Sequence, residues 1–193
     1  MKENYTAFID RLIQRYEGGY GWDRSDPGGP TNFGITCFDL AEHRHKKMTG
    51  MSIWAPLVRA MPLQEAEDIY ATKYATACKF NELNSGPDCV VLDFGVNSGS
   101  SRAIKYAQMV VGTARDGVLG PVTLAAINGM DSNKFIDYLC DLRLGFLRHL
   151  GTLGDFGRGW AARIADLRAF SHRVAGAAPS SAKAFAPEDI PTS

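Results

Sequence analysis

The sequence has no excess of charge of either sign and no long apolar run. Its 21 lysines and arginines balance its 21 aspartates and glutamates, so a basic surface for nucleic acid is not expected. No apolar stretch approaches the ~18 residues of a membrane-spanning helix, and the first residues lack the apolar core of a secretory signal. We therefore expect no nucleic-acid partner, no stable membrane anchoring, and synthesis in the cytoplasm without a signal peptide.

Motifs for metal, nucleotide and serine-hydrolase chemistry are also missing. The chain has four histidines but no HExxH, and it contains no GxSxG, Walker or Rossmann motif. His43 and His45 lie in a polar stretch without an acid or cysteine placed to complete a site, so a solvated helix face is expected there. No metal and no cofactor are expected. Four widely spaced cysteines form no CxxC and are expected to be buried free thiols: Cys37, Cys78, Cys89 and Cys140.

The apolar residues that are present predict a mainly helical protein. Over residues 5–16 they recur at the spacing of an amphipathic helix, and Gly18 and Gly19 supply its stop signal. The glycines and prolines from there to Thr36 exclude a helix and suggest turns, with a small β-hairpin as one arrangement. The sequence thus predicts an all-α fold with one glycine-rich excursion near its N-terminus.

Further helices are predicted along the rest of the chain. Residues 88–99 are apolar nearly all round and predict a buried central helix, with a strand as the alternative for their first half because Val90 and Val91 are β-branched. The tail, 175–193, is rich in Ala, Pro and Ser and is expected to be disordered. The other predicted helices cover 36–47, a segment from Pro62 onward, 101–111, 123–128, 135–150, and a last segment that begins with "FGRGWAARIADLRAF".

The most informative segment is "RYEGGYGWDRSDPGGPTNFGIT", residues 15–36. Glu17 follows the predicted first helix, whose partially negative carboxyl end disfavours its anion, and the neighbouring aromatic residues can form an apolar wall with the same effect. Such surroundings raise the pKa of a carboxyl group toward that of a general acid. Asp26 and Asp23 lie in the turn-rich loop, where a carboxylate stays hydrated. Glycoside hydrolysis requires two carboxyl groups in unlike surroundings.

This segment resembles the signature of glycoside hydrolase family 108, the N-acetylmuramidases with an EGGY motif followed by a DPGGxTNxGIT loop. Downstream, "DCVVLDFGVNSG" is similar to the family's VFDxAVNSG segment and "FGRGWAARIADL" to its FGxGWxxR segment. The stretch "VVGTARDGVLGPVTLAAI" resembles the start of a peptidoglycan-binding region. The family has Tyr-Trp where this chain has Tyr74 and Ala75, so Ala75 departs from it. The resemblance implies a lysozyme-like fold with Glu17, the EGGY glutamate, as the catalytic acid.

Phage lysozymes offer a more distant comparison. Their active site consists of an acid, eight residues, a second Asp or Cys, five residues and a Thr. Glu17 and Asp26 keep the first gap, so Asp26 is the predicted second carboxylate and Asp23 is the reserve.

The third position of that pattern, where phage lysozymes have a threonine that orients the water, falls on Asn32. That role passes to Thr31, to Thr36 or to no residue, and Thr31 is counted with the predicted catalytic residues. Asn97 and Ser98 equally suit a plain helix end before a glycine. Substrate contacts are predicted for Tyr20, Asn32, Thr36, Asn97 and Ser98.

The resemblance implies a muramidase that hydrolyses the β-1,4 bond between N-acetylmuramic acid and N-acetylglucosamine in bacterial peptidoglycan, with inversion if Asp26 holds a water on the far face of the sugar. The alternatives are a lytic transglycosylase that leaves 1,6-anhydro ends and a non-catalytic wall-binding protein. We expect a muramidase region over 1–96 and a peptidoglycan-binding-like helical region over 97–174, packed as one globular unit. The expected protein is a monomer that acts in the periplasm and cell wall after holin-type release or accessory export.

Overall fold

The structure, a computed structural model, describes residues 3–15, 18–24, 27–149 and 153–176. Helices dominate these residues, and one antiparallel sheet of two short strands accompanies them. The predicted all-α class with a small β excursion near the N-terminus is confirmed. The backbone packs into two compact units, Met1–Thr76 and Ala77–Ser193. Within the described ranges no helix is both long and apolar enough to cross a membrane.

The first unit consists of helices and one hairpin. Its helix α4 continues directly into a π-helical segment, Tyr70–Ala75. The described elements are α1 (Glu3–Arg15), β1 (Thr31–Asn32), β2 (Ile35–Thr36), α2 (Cys37–His43), α3 (Met51–Arg59) and α4 (Leu63–Ile69).

Helix α1 is amphipathic, as its apolar spacing predicts. Phe8, Ile9, Leu12 and Ile13 form one stripe, and each is at most 5% exposed. The described helix ends at Arg15, and the predicted extension to residue 16 lies outside the described residues.

The second helix is shorter than the 36–47 predicted. Helix α2 ends at His43, because His45 adopts a left-handed φ of 51°. The N–H of His45 then bonds the carbonyl of Glu42 at 3.0 Å, and the next N–H, of Lys46, bonds that of Ala41 at 2.9 Å. This left-handed closure stops a helix in the way a C-terminal glycine usually does.

Helix α3 follows, although the sequence analysis predicts no helix there. Pro56 lies inside it and lacks the N–H that a helix interior uses, which normally argues against a helix. Trp54, Ala55 and Val58 are nevertheless buried on one face, and this burial outweighs the missing hydrogen bond.

The predicted β-hairpin is confirmed. Strands β1 and β2 pair antiparallel, with Thr31 opposite Thr36 and Asn32 opposite Ile35. The turn residues Phe33 and Gly34 both have positive φ, 52° and 74°. A type I′ turn requires this combination, and its twist matches that of the paired strands.

The second unit consists of helices joined by turns and loops, and its described residues contain no strand. Helix α7 (Pro121–Gly129) begins earlier than predicted because Pro121 suits a first helical position. Helix α8 (Ser132–His149) also begins earlier, because Asp131 accepts a hydrogen bond from the N–H of Lys134 at 2.9 Å. Residues 177–193, most of the predicted tail, lie outside the described residues. The helices are α5 (Pro87–Ser98), α6 (Ser100–Val111), α7 (Pro121–Gly129), α8 (Ser132–His149) and α9 (Leu153–Val174).

Helix α5 is the buried central helix predicted from its sequence, and the strand alternative for Val90 and Val91 is wrong. Every residue from Pro87 to Gly95 is buried. The helix stops at Gly99, whose φ of 91° is accessible to glycine and strained for other residues. The four cysteines are buried and free, as predicted.

Candidate active site

The glycine-rich segment after α1 forms a loop that closes on itself. Gly21 and Thr31 pair through two backbone hydrogen bonds, each with an N···O distance of 2.9 Å. A Cβ atom at Gly21 would lie 3.8 Å from the hydroxyl of Thr31, so the half-buried threonine side chain lies against the glycine. The chain therefore leaves this point at residue 22 and returns to it at residue 30.

The two predicted carboxylates belong to this part of the chain. Glu17 and Asp26 lie outside the described residues, and their roles stay predictions. Asp23, the reserve for Asp26, is described and exposed. Thr31, the residue expected to orient a water, is fixed at the mouth of the loop by its pairing with Gly21.

Asn32 anchors the hairpin to the end of α3. Its side chain is 5% exposed, and its Nδ2 donates to the carbonyl oxygens of Val58 at 3.1 Å and Arg59 at 3.3 Å. The last carbonyls of a helix have no partner in the next turn of that helix, so they are open to such capping bonds; the carbonyl of Val58 also accepts from the N–H of Met61 at 3.2 Å. These bonds use both amide hydrogens of Asn32, whose predicted contact with substrate stays a prediction.

Two further side chains hold the hairpin. The hydroxyl of Tyr70, in the π-helical segment, donates to the carbonyl of Phe33 in the turn at 2.8 Å. Thr36 caps α2: its hydroxyl accepts from the N–H of Asp39 at 3.2 Å and donates to the carboxylate of Asp39 at 2.8 Å. That carboxylate accepts in return from the N–H of Thr36, which completes a capping box.

Asp39 is itself fixed by a lysine. The ammonium group of Lys73 lies 2.7 Å from Asp39 and 2.5 Å from Glu42. Partial burial alone lowers the pKa of Lys73, but the hydrogen bonds to Asp39 and Glu42 outweigh it and raise the pKa. Thr36 is thus tied to a charged cluster within its own unit, and its predicted substrate contact remains untested.

Tyr20, the tyrosine of the EGGY motif, is half-buried and carries a cation above its ring. The guanidinium carbon of Arg59 lies 4.3 Å from the ring centroid. This separation is well inside the range of a cation–π interaction. A second pair in the same loop, Arg24 over Trp22, has a separation of 5.3 Å.

The remaining predicted contacts, Asn97 and Ser98, end helix α5 in the second unit. Ser98 donates its hydroxyl to Oδ1 of Asn97 at 3.1 Å, and Asn97 is exposed. The carbonyl of Ser98 accepts from Arg102 at 3.2 Å. A plain helix end accounts for this arrangement, and a substrate contact remains a prediction.

Comparison with known proteins places the chain in a family. The model of Glycosyl hydrolase 108 matches residues 11–99, which include the whole loop and the end of α5. The chain is also similar to the solved structure of Brucella abortus SagA, with 36% sequence identity, 91% of this chain and 97% of that chain covered, and a TM-score of 0.81.

This chain belongs to glycosyl hydrolase family 108. It is therefore a glycoside hydrolase with the lysozyme-like all-α fold expected from the resemblance. A search of curated proteins found no match.

A buried ion cluster connects two segments that resemble motifs of the glycosyl hydrolase family. Asp93, the acid of "VVLDFGVNSG", is 1% exposed and lies 2.5 Å from Arg143 and 3.1 Å from Arg163. Arg163 is the last residue of "FGRGWAAR". Desolvation raises the pKa of Asp93, but the two guanidinium groups outweigh it and hold the pKa below its ordinary value. Asp93 of the first segment thus binds Arg163 of the second.

Sequence reasoning missed several residues that position the site of this family 108 chain. Arg59 and Tyr70 carry no local signal, because their partners lie far away along the chain. Asp39 does carry one: it follows Thr36 by three residues, the spacing of a capping box at the start of a helix. No three metal-binding side chains share a site in the described part of the chain, where His43 is half-buried and His45 exposed.

Proposed function

We propose that this family 108 chain is a peptidoglycan hydrolase that cleaves the β-1,4 bond between N-acetylmuramic acid and N-acetylglucosamine. The observation that carries the proposal is the family match over residues 11–99, which contains Glu17, Asp26 and the loop between them. The lysozyme-like fold supports it, because the resemblance of the EGGY segment to this family implies that fold.

Glu17 is the general acid in this proposal. It follows α1, whose described residues end at Arg15, and the carboxyl end of a helix disfavours a nearby anion. A glutamic acid kept protonated in this way donates its proton to the oxygen of the glycosidic bond as that bond breaks.

Asp26 is the proposed second carboxylate. It lies in the sequence between Gly21 and Thr31, whose backbone pairing closes the loop. As a base it takes a proton from the water that attacks the anomeric carbon from the opposite face, which inverts the configuration. Thr31, fixed at the closure of that loop, is the proposed orienting group for the water.

Product chemistry tests the proposal against its alternatives. Purified sacculi are digested with the protein, and the soluble fragments are analysed by mass spectrometry. We expect fragments with reducing N-acetylmuramic acid ends, and reducing N-acetylglucosamine ends would assign the other glycosidic bond. Anhydro-muramic ends would show a lytic transglycosylase, and sacculi that bind the protein without any release of fragments would show a wall-binding protein.

The anomeric product tests inversion separately. Proton NMR of a fresh digest distinguishes α from β reducing ends before they equilibrate. Inversion of a β-bond yields the α-anomer first, whereas a retaining mechanism yields the β-anomer and requires carboxyl groups only about 5 Å apart.

The proposed place of action is the periplasm and cell wall, which the protein reaches from the cytoplasm by holin-type release or accessory export. Peptidoglycan is found only there, so a cytoplasmic muramidase needs such a route. Cell fractionation with and without a co-expressed holin tests this: wall lysis without either route would contradict it.

A further inference from the structure

Arg59 lies beside the candidate active site and has no role in the proposal above. It is the last residue of α3, and its side chain is exposed. Its guanidinium group lies above the ring of Tyr20 at 4.3 Å, and that tyrosine belongs to the EGGY motif three residues after Glu17. A cationic group is therefore held over the motif that carries the proposed acid.

The backbone of Arg59 is held as firmly as its side chain. Its carbonyl accepts from the buried amide of Asn32 at 3.3 Å, and Asn32 belongs to the hairpin. The residue thus contacts the hairpin through its backbone and the EGGY tyrosine through its side chain. The contact with the ring of Tyr20 reduces the freedom that a long surface side chain normally has, and this lowers the entropic cost of binding a ligand.

The charge of Arg59 lacks an acidic partner in the described ranges. In the same unit Arg44 forms a two-pronged pair with Glu65 at 2.7 Å, and Lys73 is bound by two carboxylates. Among the residues that the structure describes, no carboxylate binds Arg59. Stacking on an aromatic ring occupies one face of a guanidinium group and leaves its N–H edge available for a planar anion.

We propose that Arg59 binds a carboxylate on the side arm of the muramyl residue and so sets the specificity of the enzyme for muramic acid. The inference rests on the proposed function, because peptidoglycan is the substrate that supplies such a carboxylate. Two sources exist: the stem peptide of the intact wall, and the lactyl group once the peptide has been removed. N-acetylglucosamine residues carry neither, so this contact distinguishes the two sugars of the glycan chain.

The test compares one variant on two forms of the same sacculi. In one form the carboxylates are native, and in the other they are converted to neutral methylamides by carbodiimide coupling. On native sacculi we expect Arg59→Ala to raise the apparent KM about tenfold, the size of a charge-assisted hydrogen bond, with little change in kcat. On methylamidated sacculi the wild type should lose the same factor, and the variant should lose nothing further.

Two companion variants control the measurement. Arg59→Lys keeps the charge without the planar edge and should recover part of the loss in KM. Arg173→Ala removes another exposed arginine that lies 5.8 Å above an aromatic ring, that of Phe170, far along the chain from the hairpin. This control should match the wild type on both substrates.

A third substrate separates the two sources of carboxylate. Amidase treatment removes the stem peptides and exposes lactyl carboxylates on the glycan. If the stem peptide is the ligand, the difference between wild type and Arg59→Ala is present on native sacculi and disappears on this glycan. If the lactyl group is the ligand, the difference appears only on this glycan, because the lactyl carboxyl of native sacculi is amide-linked to the peptide.

The inference is overturned if the KM of Arg59→Ala exceeds that of the wild type by the same factor on native and on methylamidated sacculi. That is the result expected of a residue that only holds Tyr20 in place. It is also overturned if the variant equals the wild type both on native sacculi and on the amidase-treated glycan. Neither result touches the proposed function, which fails separately if the wild type releases no fragments from any of the substrates.

Discussion

Each unit contains a group of polar side chains that fixes part of its fold, and the two groups bind different kinds of partner. In the first unit Asn32, Tyr70 and Thr36 bind backbone groups of a hairpin and its flanking helices. In the second unit Asp93 binds the side chains of Arg143 and Arg163 between three helices. The first arrangement shapes a loop, and the second joins helices to each other.

This difference shows that a motif of an enzyme family need not be a motif of its chemistry. The acid of "VVLDFGVNSG" and the last arginine of "FGRGWAAR" resemble family signatures, and the structure pairs them in a buried cluster. In contrast, the EGGY segment leads into a loop that is closed by its own backbone at Gly21 and Thr31. We expect the ion pair of Asp93 and Arg163 to stabilise the second unit, and we expect the reaction at the EGGY segment.

Removal of the buried charge in the second unit should have the largest effect on stability. Asp93→Asn is nearly isosteric but leaves the guanidinium groups of Arg143 and Arg163 buried without their counter-charge. We expect the free energy of unfolding to fall by about 3–5 kcal/mol, measured by urea denaturation.

A matched control in the same unit is Glu82→Gln, which removes an exposed carboxylate that lies 3.1 Å from Lys79. Its cost should stay below about 1 kcal/mol. If the two substitutions cost the same, the buried cluster is not what joins the helices of this unit.

The lowered pKa of Asp93 predicts that the protein loses stability in acid. The folded pKa of Asp93 lies below its ordinary value of 3.8, so its contribution is present above that pH and is lost as the pH falls through the lower folded value. Urea denaturation between pH 6 and about pH 2 should show this loss in the wild type, and Asp93→Asn should show a shallower acid limb. Equal slopes for the two proteins would contradict the assignment.

A change to the hairpin anchor should have a smaller effect on the free energy of unfolding, and it should loosen the loop more than the helices of the other unit. Asn32→Ala removes two hydrogen bonds to the carbonyls of Val58 and Arg59, which remain in a buried corner without this partner. The expected cost is about 1–3 kcal/mol, and the loop should exchange its amide hydrogens faster while α5 does not. Uniform acceleration in both units would show that the anchor acts on the whole fold instead.

Loss of the helix cap should have the smallest effect. Thr36→Val keeps the shape of the side chain but removes the hydroxyl that accepts from the N–H of Asp39. We expect a cost of about 1 kcal/mol in thermal denaturation. Thr72→Val is the control, since its exposed hydroxyl donates only to the carbonyl of Asp68 within its own helix, and it should change stability by less.

Much of the fold follows from local pattern, and most of the site does not. The apolar stripe of α1, the turn residues Phe33 and Gly34, and the all-round apolar character of α5 each encode their structure within a few residues. Helix α3 was missed because Pro56 opposes it locally, while the burial that stabilises it comes from tertiary packing.

Partners far apart along the chain explain the rest. An acid in the middle of an apolar run of a buried helix indicates that Asp93 must be paired, because an unpaired buried charge is too costly. Its partners stand 50 and 70 residues away, so the sequence alone does not identify them. The same holds for Asn32, whose acceptors lie 26 and 27 residues further along.

The central claim is that Glu17 supplies the proton for hydrolysis of the wall, and one pair of variants tests it most directly. Glu17→Gln keeps the shape of the side chain but removes its acid, and Glu82→Gln makes the same change at an exposed site of the other unit. With folding verified by circular dichroism, release of reducing ends from sacculi should fall about 10²–10⁴-fold for Glu17→Gln and stay unchanged for Glu82→Gln. A folded Glu17→Gln protein that releases reducing ends at the wild-type rate would contradict the account.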